Sequence, residues 1–509
     1  MKTAYINARI PFTKHNAFIV EDGRFTYVGR KAVALKRSID SIIDLADYTV
    51  LPGFNDSHLH VLGIGKSMAM LDLSKAESID ALKTHLREAN SDPIVGRGYH
   101  ESQFAEKRSP EKADLNDVTT DVPIALYRVC GHMAIANDAA IKRAQHLSTP
   151  PREGVDVERG IFKEDGVHWL MRGVLRADES TIETQILAAQ DYLLSQGVTA
   201  VGSDDFAMYP IPFETILNVF VRLASTDKLK LRVLEQANLP AVDTLKRFID
   251  KGHVNRQHKR YRLGPLKLLA DGSLGARSAF MREPYADKAT RGIRVFDQAT
   301  LNTLIEMANH AGMDVAIHAI GDACVDAVLD AIERIPESER QSRRHSIIHA
   351  QLANEEHIDR MARLHVGAQT QPIFINSDIV VIDQALGDRA PHTYLFKSMA
   401  DAGVRTSIST DAPVEGANPF KNLYVATTRR SIKHPTAPPF NPTEAFHLKD
   451  AIEAYTSVPA AFSYQESELG QIKKGYMADF VVVEGFEDLL HAKVLSTYIE
   501  GERVYHEPR

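Results

Sequence analysis

Four histidines and an aspartate stand at the ends of short apolar runs, where buried strands would present their last side chains to a common site. His58 and His60 are two residues apart. Because alternate side chains of a strand point to the same side, both imidazoles can reach one cation. His318, His349 and Asp411 each follow an apolar run further along the chain. Imidazoles and a carboxylate in this number suit Zn²⁺, Mn²⁺ or Fe²⁺, so we expect a divalent metal site with zinc favoured.

Lys267 is the one lysine of chemical interest, because it lies inside the apolar run from Pro265 to Ala270. A buried ammonium is costly unless it is paired or neutral. One interpretation is a salt bridge to Asp271, or a side chain that extends to solvent. The interpretation we favour is carboxylation by CO₂, which makes the side chain an anion able to bridge two metal ions.

The runs that carry these residues alternate with longer helix-like segments, a pattern typical of repeated βα units. Eight strands are predicted, at residues 50–54, 198–203, 231–235, 265–270, 314–317, 346–348, 368–372 and 406–409. A closed barrel needs eight parallel strands, and barrel enzymes place their catalytic groups at the carboxyl ends of those strands. We therefore predict an α/β fold, a (β/α)₈ TIM-like barrel, with the metal site at its mouth.

Both ends of the chain are rich in predicted strands, and we expect residues 1–53 and 456–509 to form a small β-sandwich. The barrel should occupy residues 54–455. Its first two strands are too far apart for an ordinary βα connection. We therefore expect an inserted subdomain at about residues 65–175.

Composition excludes several classes of protein. Apolar residues make up 44% of the chain and charged residues 25%, as in an ordinary soluble protein. The net charge of −7, with scattered basic residues, argues against nucleic acid as a partner. The sequence has neither a signal-like start nor a long apolar run, so we expect no membrane partner. Cys130 and Cys324 stand far apart, which fits a cytoplasmic location.

The order of these residues, one group per barrel strand, resembles the amidohydrolase superfamily. The surrounding sequence resembles its amidohydrolase-3 branch, which includes N-substituted formamide deformylases, and the likeness spans nearly the whole chain. The segments that carry this likeness are residues 51–60, 201–204, 267–278, 318–322, 368–372, 410–414 and 470–480.

The resemblance implies a role for each metal-site residue. His58 and His60 would bind the more buried of two metal ions, and His318 and His349 would bind the other. Carboxylated Lys267 would bridge the pair. Two ions are therefore favoured over one.

Asp411, by the same resemblance, would bind metal and act as the catalytic base. A metal ion lowers the pKa of bound water towards neutrality. Asp411 could accept the water's proton as hydroxide attacks and then deliver it to the leaving nitrogen. The predicted function is hydrolysis of a non-peptide C–N bond, of amide, N-acyl or N-formyl type, in a small organic substrate.

Substrate contacts are predicted for a further group of polar residues, and these are His100, His132, Asp271, Arg277 and Gln371. The branch often has Gly-Trp-Asp where this chain has Gly98-Tyr99-His100-Glu101. That departure puts the substrate identity of close relatives in doubt for this protein.

Two alternatives remain at this point. A deaminase or cyclic amidase with a single metal ion would use the same residues on a different electrophile. A barrel that lost catalysis and became a binding protein would be expected to lose ligand residues, yet all six candidates are present. A homo-oligomer is compatible with either reading.

Overall fold

The computed structural model describes residues 1–129, 133–175 and 177–508. His132, one of the predicted substrate contacts, and Cys130 lie outside the described residues. The chain divides into two compact units. One comprises Met1–Gly63, Ala189–Phe206 and Phe220–Arg509, and the other comprises Ile64–Ala188 and Ala207–Val219.

The first unit contains a parallel eight-stranded sheet whose strands follow one another in chain order. These strands are Phe54–Leu59, Val198–Ser203, Arg232–Asn238, Tyr261–Leu269, Val315–Ala319, Ser346–His349, Gly367–Thr370 and Thr406–Ile408. A short strand, Gln257–His258, pairs with the fourth of them. Most of their residues are buried, including polar side chains such as Asp56, Gln236 and Gln369.

The sheet curls until its first and last strands meet. Beyond the last strand, the backbone N–H of Asp411 donates to the carbonyl oxygen of His58 at 2.9 Å. The N–H of His60 donates to the carbonyl of Ala412 at the same distance. These two bonds join the carboxyl ends of strands that are about 350 residues apart in sequence. The predicted eight-stranded parallel barrel is confirmed, as a nearly closed sheet.

The predicted first barrel strand is wrong in its bounds. Thr49–Pro52 is a strand that pairs antiparallel with Phe480–Glu484, outside the barrel, and the barrel begins with Phe54–Leu59. Gly53 lies between the two strands, and a Cβ atom at this position would clash with the hydroxyl oxygen of Thr199. His58 consequently lies within the first barrel strand, and His60 follows directly after it.

Strands from both ends of the chain form two four-stranded sheets in the first unit. One has the order Arg24–Gly29, Ala17–Glu21, Lys2–Ile6, Ser41–Asp44, and the other has the order Glu502–His506, Lys493–Ile499, Phe480–Glu484, Thr49–Pro52. Aromatic rings from the two sheets pack together. Phe18 lies 5.0 Å from Phe480 between ring centroids, and Phe480 stacks on Tyr498 at 4.3 Å.

The second unit contains a six-stranded sheet. Its order is Val155–Asp156, Ile161–Lys163, Met133–Ala136, Ile124–Arg128, Ile94–Tyr99, Leu71–Asp72. Adjacent residues of its strands point to opposite faces and enter different apolar clusters. Ile94 and Ile124 belong to one cluster, and Val95 and Ala125 belong to the other. Both faces of this sheet are therefore covered.

Helices follow most strands of the described chain, and many begin at a side-chain cap. Asp297, for example, accepts a hydrogen bond from Thr300 N at 2.7 Å at the start of its helix. None of the helices in the described ranges is both long and apolar enough to cross a membrane. The α-helices are Lys31–Ala34, Val61–Met68, Ile79–Glu88, Lys112–Asn116, Asp138–Leu147, Asp165–Val174, Glu179–Ser195, Phe213–Ser225, Val242–Asp250, Gln298–His310, Asp322–Glu333, Glu337–Ser342, Glu355–Leu364, Ile375–Asp378, Ile382–Leu386, Phe396–Asp401, Pro419–Thr428, Leu448–Ala454 and Ser457–Phe462. Short 3₁₀ turns are Glu101–Gln103, Pro372–Phe374, Gly387–His392 and Pro442–Glu444.

Candidate metal centre

His58, His60 and Asp411 converge at the carboxyl end of the barrel. The Nε2 atoms of His58 and His60 lie 3.3 and 3.0 Å from Asp411 Oδ1. Both histidine side chains therefore reach one side of the strand, as their spacing predicts. The backbone bonds that close the barrel hold the three residues in this register.

His349 completes a group of buried donors. One donor atom from each of His58, His349 and Asp411 lies within 4.8 Å of the others, which is close enough for all three to hold one cation. All three side chains are buried. The ring of His318 lies 4.4 Å from that of His349 between centroids. The structure thus brings together the four histidines and the aspartate that the sequence singled out.

Lys267 is buried beside the first histidine. Its Nζ lies 3.3 Å from His58 Nε2 and 4.0 Å from Asp204 Oδ2. Asp271 is not its partner, because that carboxylate accepts the backbone N–H groups of Phe280, Ile320 and Gly321. The salt-bridge interpretation with Asp271 is therefore wrong, and Lys267 belongs to the histidine cluster.

Each of three histidines has its Nδ1 held by a partner outside the cluster. His58 Nδ1 lies 2.7 Å from Gln236 Oε1, and His60 Nδ1 lies 2.7 Å from the carbonyl oxygen of Asp204. His349 Nδ1 lies 2.8 Å from Gln371 Oε1. An oxygen acceptor makes Nδ1 the protonated nitrogen and leaves Nε2 with its lone pair for a metal ion.

His318 has the opposite arrangement. Its Nε2 lies 3.1 Å from the carbonyl oxygen of Gly272 and 3.3 Å from Asp271 Oδ1. Nδ1 is consequently the nitrogen left for a metal ion. The buried Oδ1 of Asp204 has no hydrogen-bond partner in the described part of the chain, which leaves one more oxygen that a cation could satisfy. The donor set therefore fits a divalent metal.

Burial and neighbouring charges set the protonation of the cluster. Burial, reinforced by Lys267, lowers the pKa of His58 to about 4. Burial also lowers the pKa of His60, but its hydrogen bond to Asp411 and the charges of Asp411 and Asp204 together outweigh this, and the pKa rises to about 9. Although burial raises the pKa of Asp411, its interactions with the imidazoles of His58 and His60 hold that pKa well below its usual range. Burial lowers the pKa of Lys267, which favours the neutral amine.

Asp56 is a buried supporting residue that sequence reasoning missed. It accepts hydrogen bonds from the hydroxyls of Thr410 and Tyr455, and from the backbone N–H groups of Thr410 and His58. These bonds link the strand that carries His58 to the turn that carries Asp411. Its position two residues before His58 was the only available signal, since an alternating strand places both on one side.

Gln236 and Asp204 were also missed as partners of the metal-site histidines. Gln236 lies in the third barrel strand, and its amide additionally donates to the carbonyl of Ser57 and to Gln369 Oε1. These bonds orient its Oε1 towards His58. Residues 201–204 carry part of the family likeness, but no pattern in this segment indicates that the carbonyl oxygen of Asp204 contacts His60.

The predicted substrate contacts occupy diverse positions. Arg277 forms a bidentate ion pair with Asp287. His100, in the second unit, accepts a hydrogen bond from Ser102 N. Gln371 and Asp271 hold His349 and His318, respectively, as described above. Substrate contact by these residues stays a prediction.

The barrel and its donor set define the class of this protein, a barrel hydrolase with its candidate site at the carboxyl ends of the strands. The chain belongs to the Amidohydrolase family, whose model matches residues 41–505. It is 31% identical over 484 residues to the protein YtcJ of Bacillus subtilis (strain 168), covering 91% of this chain and 90% of that one. It is 25% identical to an N-substituted formamide deformylase of Arthrobacter pascens, covering 95% and 94%.

Solved structures agree with this membership. An uncharacterized metal-dependent hydrolase from Pyrococcus furiosus superposes with a TM-score of 0.83 at 29% identity, covering 95% of this chain and 98% of its own. A metal-dependent hydrolase from Pyrococcus horikoshii gives 0.84 at 29% identity, covering 99% and 100%. The family resemblance inferred from the motifs is confirmed.

Proposed function

We propose that the protein hydrolyses a C–N bond other than a peptide bond, of amide, N-acyl or N-formyl type, in a small organic substrate. The observation that carries the proposal is the convergence of His58, His349 and Asp411 on one buried point, with each imidazole oriented by a separate partner. The likeness to a formamide deformylase, which spans nearly both chains, supports the bond type.

We propose that the site holds two zinc ions. His58 and His60 would ligate one, and His318 and His349 would ligate the other. Lys267, once carboxylated, would supply an anion to both, and the lowered pKa of its amine favours the reaction with CO₂. Bound zinc supplies a more acidic water and polarises a carbonyl group.

Asp411 is the residue proposed to transfer the proton during hydrolysis. Asp411 is ionised at neutral pH, because its interactions with His58 and His60 hold its pKa low. An ionised carboxylate can accept a proton from the attacking water and release it to the nitrogen that leaves. The buried ring of His349 stacks against Phe374, with centroids 5.8 Å apart, which limits access of bulk water from that side.

Metal analysis combined with an activity screen tests this function. Protein purified without chelator should contain nearly two zinc equivalents and should hydrolyse N-formyl or N-acyl amines. D411N should lose activity, whereas D488N, which alters an exposed carboxylate in the same unit, should keep it. One metal equivalent with activity only on amidines or cyclic amides would support the deaminase or cyclic amidase alternative. Failure to bind metal after reconstitution would overturn the proposal.

We also propose that the two terminal sheets form one β-sandwich domain. The shared aromatic cluster of Phe18, Phe480 and Tyr498 supports this assignment. Phe480→Leu should lower the free energy of unfolding by about 1–3 kcal/mol, because the ring contacts to both neighbours are lost. An unchanged stability in a chemical denaturation experiment would argue against a shared core.

A further inference from the structure

A cavity of about 560 Å³ lies within the second compact unit. Its volume falls inside the range typical of small-molecule sites. We call it the Lys66 pocket and define it by six of its lining residues, which are Lys66, Tyr127, Met171, Arg172, Leu175 and Tyr209. None of these residues belongs to the metal centre, and the proposed function uses none of them.

Lys66 is a half-buried cation in the lining of this pocket. Its Nζ donates to the carbonyl oxygen of Met208 at 3.2 Å and lies 4.8 Å above the ring of Tyr209. In the described ranges, no carboxylate forms an ion pair with it. Burial lowers its pKa to about 8, and no neighbouring carboxylate offsets that effect. A bound anion would stabilise an ammonium in such a place.

A second cation stands at the rim of the same pocket. The helix Asp165–Val174 presents Asp165, His168 and Arg172 to the cavity, at spacings that place them on one face. Arg172 is exposed and has no ion pair in the part of the chain that the structure describes. Lys66 and Arg172 bring two positive charges to the lining, and Asp165 brings one negative charge. This surplus of one positive charge matches a monoanion.

The walls of the pocket are suited to the apolar part of a small-molecule ligand. Tyr127 and Tyr209 supply aromatic faces, while Met171 and Leu175 supply aliphatic and thioether surface. Tyr209 is held in place by a hydrogen bond from its hydroxyl to Gln185 Oε1 at 2.8 Å. Methionine and aromatic side chains together adapt well to planar apolar ligands.

We propose that the Lys66 pocket binds an organic carboxylate, with the carboxylate between Lys66 and Arg172 and an aromatic or branched apolar body against the tyrosines. A carboxylate matches the single surplus charge. Inorganic phosphate has no apolar part and would leave the apolar walls uncovered. This inference is independent of the proposed hydrolytic function.

Isothermal titration calorimetry on the metal-loaded full-length protein tests the site. The probes are phenylacetate, its uncharged isostere phenylacetamide, and inorganic phosphate. We expect phenylacetate to bind at least ten times more tightly than either of the others. K66M should weaken phenylacetate binding at least tenfold, and R172M should weaken it severalfold. K142M removes an exposed lysine elsewhere in the same unit and should leave binding unchanged.

R172M keeps the test informative if K66M fails to fold, because Arg172 is exposed and unpaired in the described chain. Three results would overturn the proposal. They are equal affinity for phenylacetamide and phenylacetate, tighter binding of phosphate than of phenylacetate, and phenylacetate binding that neither K66M nor R172M weakens. The last result would also be obtained if the probe bound the catalytic metal instead.

Discussion

Gln371 Oε1 lies 2.8 Å from His349 Nδ1, and the amide nitrogen of the same glutamine donates to the Ser409 hydroxyl at 2.7 Å and to the Gln369 carbonyl at 3.0 Å. The two donor bonds fix which end of the amide faces the histidine. His349 is therefore held as the tautomer whose Nε2 faces the metal centre. This relationship makes Gln371 a positioning residue for a proposed metal ligand.

Replacing Gln371 by leucine should weaken metal binding by about 10–100-fold, because His349 loses the acceptor that sets its tautomer. Q371E should retain most of the affinity, since a carboxylate also accepts from Nδ1. Competition with a zinc chelator measures both values. If Q371L instead raised KM while leaving the metal affinity unchanged, Gln371 would be a substrate contact and the positioning role would be rejected.

Lys267→Ala should lose metal and activity together, because the proposed bridging anion is removed. Inductively coupled plasma mass spectrometry gives the metal content, and native mass spectrometry in bicarbonate detects the CO₂ adduct on the unaltered lysine. Lys259→Ala, an exposed lysine that precedes the same barrel strand, provides the matched control. Full activity in the Lys267 variant would reduce the site to one metal.

Metal affinity should rise with pH until about pH 9. In the metal-free protein His60 has a pKa of about 9, above its ordinary value of 6.5, so it is protonated at neutral pH. A metal ion must displace that proton, and the apparent affinity should increase by about tenfold per pH unit below this value. Calorimetry in two buffers of different ionisation enthalpy counts the released protons. An affinity that does not change with pH would contradict the protonated state of His60.

Asp326 should stabilise the fold at neutral pH and lose that effect in acid. It accepts hydrogen bonds from Arg282 Nε at 2.6 Å and from His357 Nε2 at 3.1 Å. Although burial raises its pKa, the bonds from His357 and Arg282 hold it well below the usual value of 3.8. A depressed pKa contributes stability that is present above 3.8 and is lost as the pH falls through the folded-state value.

D326N should therefore lower the free energy of unfolding by about 2 kcal/mol at neutral pH, with a smaller difference from the unaltered protein below pH 3.8. D330N provides a comparison, because Asp330 pairs with Arg360 at the surface and should contribute less than about 1 kcal/mol. Urea denaturation at several pH values measures both. A difference for D326N that does not depend on pH would show that packing, and not charge, is responsible.

The sequence itself predicts the features that depend on neighbouring residues. An apolar run that ends in His-x-His places two imidazoles on one side of a strand, whatever the rest of the chain does. Runs ending at His318, His349 and Asp411 predict strand ends, and parallel strands of one barrel bring their carboxyl ends together. The barrel and the assembly of the metal-site residues could therefore be predicted from local patterns.

Only the tertiary structure decided what orients these residues. His58 meets Gln236, His60 meets the Asp204 carbonyl, and each pair is more than 140 residues apart in sequence. No periodicity relates such partners, because closure of the barrel and the register of adjacent strands bring them into contact. The Lys66 pocket likewise brings together residues that are distant in sequence, such as Lys66 and Met208. The composition of a short segment determines where a strand or helix forms, whereas hydrogen bonds across the sheet determine which nitrogen of each histidine is left for the metal.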